Sequence, residues 1–189
     1  MGIDLSGKRK NPTGLAVLKK TRVKTKLVYT DEEILESVIK NRPAITAIDS
    51  PLNLPKKGSL RKADREMIKE GYRVFPITLP AIRQLTLRGI KINKLITKKG
   101  YKTIEVHPTS TRKALGMPLK DWTEIQKIFK SIGLKGDVQL RKLTRHEIDA
   151  VTSALTAFLY LNNQTEAMGN EEEGYIIVPQ KHYWRTLQL

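Results

Sequence analysis

The chain contains no cysteine, which excludes disulfide staples, thiolate metal sites and a cysteine nucleophile. Aromatic residues are scarce at 6%, with three Phe and two Trp, and no aromatic-rich motif for stacking single strands is visible. No long apolar run is present either. The longest, near 150–161, is interrupted by Thr152, Ser153 and Thr156 and falls short of the roughly 20 residues a membrane span needs. The opening residues MGIDLSGKRK lack the apolar core of a secretory signal. A cytoplasmic protein without a membrane segment is the expectation. Acidic residues are the minority charge: 19 Asp and Glu face 35 Lys and Arg, for a net charge of +16.

That cationic excess points to an anionic partner, most simply a phosphate backbone. A solvated Lys-rich surface, as in many proteins from hot environments, would give the same number, so the choice rests on motifs. At 189 residues with 39% hydrophobic content, the chain can bury a sizeable core, and we expect one domain over 1–189.

Three short apolar or β-branched stretches, 3–5, 14–19 and 25–29, are separated by turns and charges and predict an antiparallel meander. Thr30 with Glu33 forms a capping-box pattern before a helix that Pro43 stops. Ala44 to Ile48 then reads as a strand buried on both faces. A very basic helix is predicted from about Leu60 to Glu70 and a longer one over 80–98. Thr103 to Val106 is a further buried strand, ended by His107-Pro108. Asp121 with Glu124 and Thr144 with Glu147 open helices near 122–132 and 145–161, and 175–178 is a last strand. This order predicts an α/β fold: a mixed sheet of five to six strands, a three-strand antiparallel meander plus parallel strands, with helices on both faces. The ribonuclease H-like fold has this order.

Four acidic residues stand out by position. Asp4 lies in the first strand, Asp49 ends the fourth, Glu105 lies in the fifth, and Asp149 sits in the first turns of the last long helix. A carboxylate among apolar strand neighbours is costly unless paired or metal-bound. Carboxylates converging at one sheet edge supply the hard oxygens that Mg²⁺ or Mn²⁺ prefers. Each has a local alternative. Asp4 can serve the Ser6-Gly7 turn, Asp49 can cap Ser50-Pro51, Glu105 can pair with a basic residue, and Asp149 can face the positive helix N-terminus. His146, three residues before Asp149, shares its helical face and suits a metal ligand or proton shuttle.

The segments Gly2-Ile-Asp-Leu-Ser-Gly7, Ala47-Ile-Asp-Ser-Pro-Leu52, Arg61-Lys-Ala-Asp-Arg65, Leu85-Thr-Leu-Arg-Gly89, Ile104-Glu-Val-His-Pro108, His146-Glu-Ile-Asp-Ala150 and Glu173-Gly-Tyr-Ile-Ile-Val-Pro179 together resemble one family in order. It is domain-of-unknown-function family four hundred and twenty-nine, described as predicted nucleases of the ribonuclease H fold. The resemblance implies kinship with the Holliday-junction resolvases, whose acidic residues occupy the first strand, the end of the fourth and the last core helix. Asp4, Asp49 and Asp149 match those places, and His146 with Asp149 matches the resolvases' i, i+3 pair.

The expected function is therefore a metal-dependent nuclease, with Asp4, Asp49, Glu105 and Asp149 as ligands of Mg²⁺ or Mn²⁺ and His146 assisting. DNA or RNA is the expected partner, with homodimerisation left open. Arg61, Lys62, Arg65 and Lys69 on the basic helix, with Arg83 and Arg88 on the next, are the expected phosphate contacts. The rival readings are a nucleic-acid-binding or regulatory domain without turnover, and another phosphate-handling enzyme, such as a sugar-kinase relative suggested by the Asp-Leu-Ser-Gly turn. Such kinases need two similar domains, which weakens the last.

Overall fold

A computed structural model describes residues 1–187 and Leu189. The three opening strands are β1 (Gly2–Asp4), β2 (Thr13–Lys19) and β3 (Arg22–Val28), followed by α1 (Asp31–Asn41) and β4 (Thr46–Asp49). Then come α2 (Lys62–Lys69), α3 (Pro80–Lys98), β5 (Thr103–Val106) and α4 (Pro108–Ala114). The chain continues through α5 (Trp122–Ser131), β6 (Lys135–Gly136), α6 (Asp137–Leu140), α7 (Arg145–Leu161), β7 (Thr165–Asn170) and β8 (Gly174–Pro179).

The strands form one sheet in the order β6-β3-β2-β1-β4-β5-β8-β7. β1, β2 and β3 pair antiparallel, while β1, β4, β5 and β8 run parallel to one another. This is the mixed sheet anticipated, with eight strands where five to six were expected. The two additions lie at the edges. β6 is a two-residue bridge beside β3. β7, with the sequence TEAMGN, carries no apolar alternation and reads as a loop until β8 supplies its hydrogen-bonding partner.

The capping boxes at Thr30/Glu33 and Thr144/Glu147 form as expected. The one at Asp121 is half made. Asp121 accepts the Glu124 N–H, but the Glu124 carboxylate turns to Lys127 at 3.2 Å. The helix α4 had no strong periodicity to announce it, being seven residues long with Pro108 in its first turn.

Register decides which side chains share a face. Ile3 lies opposite Leu15 and Ile48, and all three point toward α1 and α3, whose Ile34, Val38, Ile92 and Ile96 complete that core. Each such fully buried aliphatic side chain contributes roughly 1.5–3 kcal/mol of burial free energy. Gly2 lies opposite Ala16 and Ala47, and Asp4 opposite Gly14 and Asp49, on the other face. This face is lined by small residues, and α7 presses against it. A Cβ on Gly14 would sit 2.1 Å from the His146 carbonyl oxygen, and one on Gly2 would sit 2.1 Å from that of Ala150. The absence of side chains there lets the helix backbone touch the strands.

Candidate active site

Asp4 and Asp49 end neighbouring parallel strands and are direct partners in the β1–β4 register. Adjacent strands lie about 4.8 Å apart, so the two carboxylates leave the same edge and face side by side. The Thr144 cap starts α7 so that His146 and Asp149 fall in its first turns, above that same face. His146 Nδ1 is 2.6 Å from Asp4 Oδ2. Three of the expected acidic residues and the histidine are therefore brought together.

Their electrostatics differ. Asp149 Oδ1 accepts from Arg112 Nη1 at 2.5 Å. Burial pushes the Asp149 carboxyl upward, Arg112 opposes this, and Asp4 adds to the rise. Asp49 accepts no hydrogen bond from any described residue. Burial raises its pKa well above the usual carboxylate range, and the negative charges of Asp4 and then Asp149 push the same way. The site is thus a cluster of three carboxylates in which Asp4 has a histidine, Asp149 has an arginine, and Asp49 has neither.

Arg112 comes from α4 and was not foreseen. It is 1% exposed, also reaches Thr152 Oγ1 at 3.3 Å and Thr109 Oγ1 at 3.4 Å, and lies 5.3 Å over the Trp122 ring. Among the described residues its Nε has no hydrogen-bond partner. The available signal was the His-Pro pair closing a strand, since Pro at the first helical position starts a helix that carries Arg112 one turn later.

Glu105 does not join the cluster. Its register partner is Ile48, not Asp49, so its side chain emerges on the opposite face. There Arg61 grips it with Nη1 at 2.7 Å and Nη2 at 2.6 Å, and the Leu52 N–H donates at 2.8 Å. Pairing with a basic residue, the local alternative, is what the structure contains. His107 directs Nδ1 to Ser110 Oγ at 2.6 Å in the first turn of α4. Burial lowers its pKa to about 4, with Arg112 adding to the effect.

The expected phosphate contacts divide. Arg61, 2% exposed, is buried with Glu105 and Asp64, and Arg88, 8% exposed, is an internal cross-link. Arg88 donates to Asp31 at 2.9 Å, Ser6 O at 2.7 Å and Tyr29 O at 3.0 Å. Both are buried and held by internal partners, so both are corrected to structural roles. A guanidinium leaves water only when its donors are satisfied, and in both residues neighbouring carboxylates and carbonyls do this. Lys69 and Arg83 are exposed, as are Lys62 and Arg65, which have Glu66 at 3.7 Å and Glu173 at 3.9 Å respectively.

Among the described residues no three His, Asp or Glu side chains form a ready-made metal cage. The donor set nevertheless fits a hard divalent ion: three adjoining carboxylates at one edge share one guanidinium, Arg112, which is hydrogen-bonded to Asp149 and not to Asp49, so the negative charge left over attracts a cation.

No family model and no curated protein matches the sequence. Among solved structures, the chain is similar to Thermus thermophilus RuvC in complex with Holliday junction substrate. The identity is 16%, the coverage 85% of this chain and 93% of that one, and the TM-score 0.53. A second Thermus thermophilus RuvC structure aligns at 19% identity over 86% and 95% of the two chains, with a TM-score of 0.48. With the strand order above, the first of these establishes the class: a ribonuclease H-like fold. No helix among the described residues is long and apolar enough to cross a membrane.

Proposed function

We propose that this protein is a divalent-metal-dependent nuclease that hydrolyses phosphodiester bonds of nucleic acid. The observation that carries the reading is Asp49, a carboxylate that accepts no hydrogen bond among the described residues, beside Asp4 at the C-terminal edge of the parallel strands and under the pair His146 and Asp149. In this reading Asp4 and Asp49 hold the ion, Mg²⁺ or Mn²⁺, and Asp149 completes the anionic wall while Arg112 fixes its orientation. When bound, the ion supplies Lewis-acid polarisation of the phosphate and a more acidic water. His146 orients Asp4 through their hydrogen bond, and its Nε2, which accepts a long 3.4 Å hydrogen bond from Arg145 Nε, is the nitrogen left for proton exchange. Glu105 is assigned no catalytic part.

The net charge of +16 supports an anionic polymer as substrate. The similarity to a resolvase captured on a Holliday junction, and the resemblance to family four hundred and twenty-nine, make branched DNA the first substrate to try. The proposal includes one catalytic domain over 1–189 and a cytoplasmic setting. The test is a panel of four-way junctions, duplex DNA, single strands and RNA with Mg²⁺, Mn²⁺ or chelator. Metal-dependent cleavage of at least one member, lost in Asp49→Asn, is the expected result. Cleavage unchanged by chelator or by Asp49→Asn would overturn the mechanism.

A further inference from the structure

Beyond Asp49, at the same strand edge, a cavity of about 200 Å³ opens between β4, β5, α2 and α3. Its apolar walls are Val74, Phe75, Ile82 and Leu85. Phe75 is 46% exposed, and the Arg73 guanidinium lies 5.1 Å over its ring. Asp49, Asp64 and Glu105 against Arg61 give the lining an anionic balance, so a phosphate is disfavoured inside it. A cation would compete with Arg61, which already grips Glu105 and Asp64. The group that fits is flat and neutral, with apolar faces and hydrogen-bonding edges. His107 lines the cavity, and with Nδ1 paired to Ser110 Oγ its Nε2 makes no hydrogen bond among the described residues, which leaves it for such an edge. The volume lies below the roughly 300–1,000 Å³ of pockets for whole small ligands and suits a single ring system.

We infer that this cavity takes one unstacked nucleobase of the substrate strand, the base adjoining the phosphate that lies at Asp49. The inference rests on the nuclease reading and narrows its substrate. Asp49 lines both cavity and carboxylate cluster, so a base seated here places its own backbone at the cluster. Phe75 stacks on the base and Arg73 faces the flanking phosphate. A base can enter only after leaving its neighbours, so the substrate is single-stranded, mismatched or distorted at that nucleotide.

The test is an abasic scan. Short single strands, each lacking the base at one position, are bound to the full-length protein with Ca²⁺ in place of Mg²⁺, and affinity is read by fluorescence anisotropy. One abasic position is expected to weaken binding about tenfold or more, with its neighbours near neutral. In Phe75→Ala, which is exposed and does not threaten the fold, and in Ile82→Trp, which fills the cavity, that penalty should disappear. A flat scan, or a penalty that survives both variants, overturns the inference and leaves the nuclease reading standing. A penalty without metal-dependent cleavage of any strand would overturn the nuclease reading and leave the cavity's role standing. Free adenosine monophosphate that matches the affinity of the strand would mark a small-nucleotide site and overturn the inference.

Discussion

Arg112 donates to Asp149 across 2.5 Å from a position sealed off from water. Its charge is the fixed positive charge hydrogen-bonded within the carboxylate cluster, and its removal would leave three carboxylates close together. We predict that Arg112→Met destabilises the fold by about 3–5 kcal/mol, the usual cost of stranding one member of a buried pair. Millimolar Mn²⁺ should recover more melting temperature in the variant than in the wild type, because added cation replaces the lost one. Thermal melts with and without Mn²⁺ decide this. An equal metal response in both would show that Arg112 is not compensating the cluster.

Asp49 predicts the opposite trade. Its carboxyl is raised by burial and by like charge, so it weakens the metal-free fold. Asp49→Asn should stabilise the metal-free protein by about 0.5–2 kcal/mol, in the range of other gains at strained functional positions. The same change should abolish both Mn²⁺ binding by calorimetry and cleavage. A variant that is less stable, or still binds Mn²⁺, would remove Asp49 from the site.

Acid should unfold the protein through other carboxylates. Asp31 is held at about 2, because Lys91, Arg88 and Arg9 outweigh the burial that would raise it from 3.8. Glu147 is held at about 2 against burial, by Arg141, the Thr144 N–H and Thr25, from an ordinary 4.5. Both pKa values are lower in the folded state. Their stabilisation is therefore fully present above about pH 5 and is lost as pH falls from there toward 2. Urea melts between pH 2 and 6 should show the decline, and Asp31→Asn should reduce its slope by about one proton. A slope unchanged in Asp31→Asn would refute the assignment.

Arginine and lysine around α2 should separate stability from binding. Arg61→Ala leaves Glu105 buried without its partner and should cost about 3–5 kcal/mol in chemical denaturation. The double change Lys62→Ala with Arg65→Ala should cost under about 1 kcal/mol. If this face tracks phosphates, the double variant should make the salt dependence of nucleic-acid affinity shallower by up to two counterions. A stable Arg61→Ala protein, or a salt slope unchanged in the double variant, would contradict this division.

The parts of the fold legible in the sequence were those written in local chemistry. Thr30 with Glu33 and Thr144 with Glu147 carry their helix starts in four residues, and Ala44 to Ile48 carries its burial in composition. Asp4 and Asp49 were legible because a strand-end carboxylate among apolar residues is costly without a purpose. The misplacement of Glu105 was a matter of parity. One residue along a strand reverses the face, and only the pairing of Glu105 with Ile48 shows which side it takes. Arg61 and Arg88 were misjudged because charge was read as exposure, whereas their partners, Glu105 and Asp31, lie 44 and 57 residues away in sequence. Arg112 was hidden in a helix too short to show a period.

Gly14 carries no functional group, yet it governs the reach of one. The bond between Asp4 and His146 spans a seam where the α7 backbone rests directly on β2, and a single methyl at Gly14 would collide with the carbonyl of His146 itself. The spacing of the acidic centre is thus gauged by a missing atom on a strand that contributes no ligand. Gly14→Ala would change the identity of no proposed ligand and still shift the helix that carries His146 and Asp149, so variation at this silent residue would act on chemistry without altering any group that performs it.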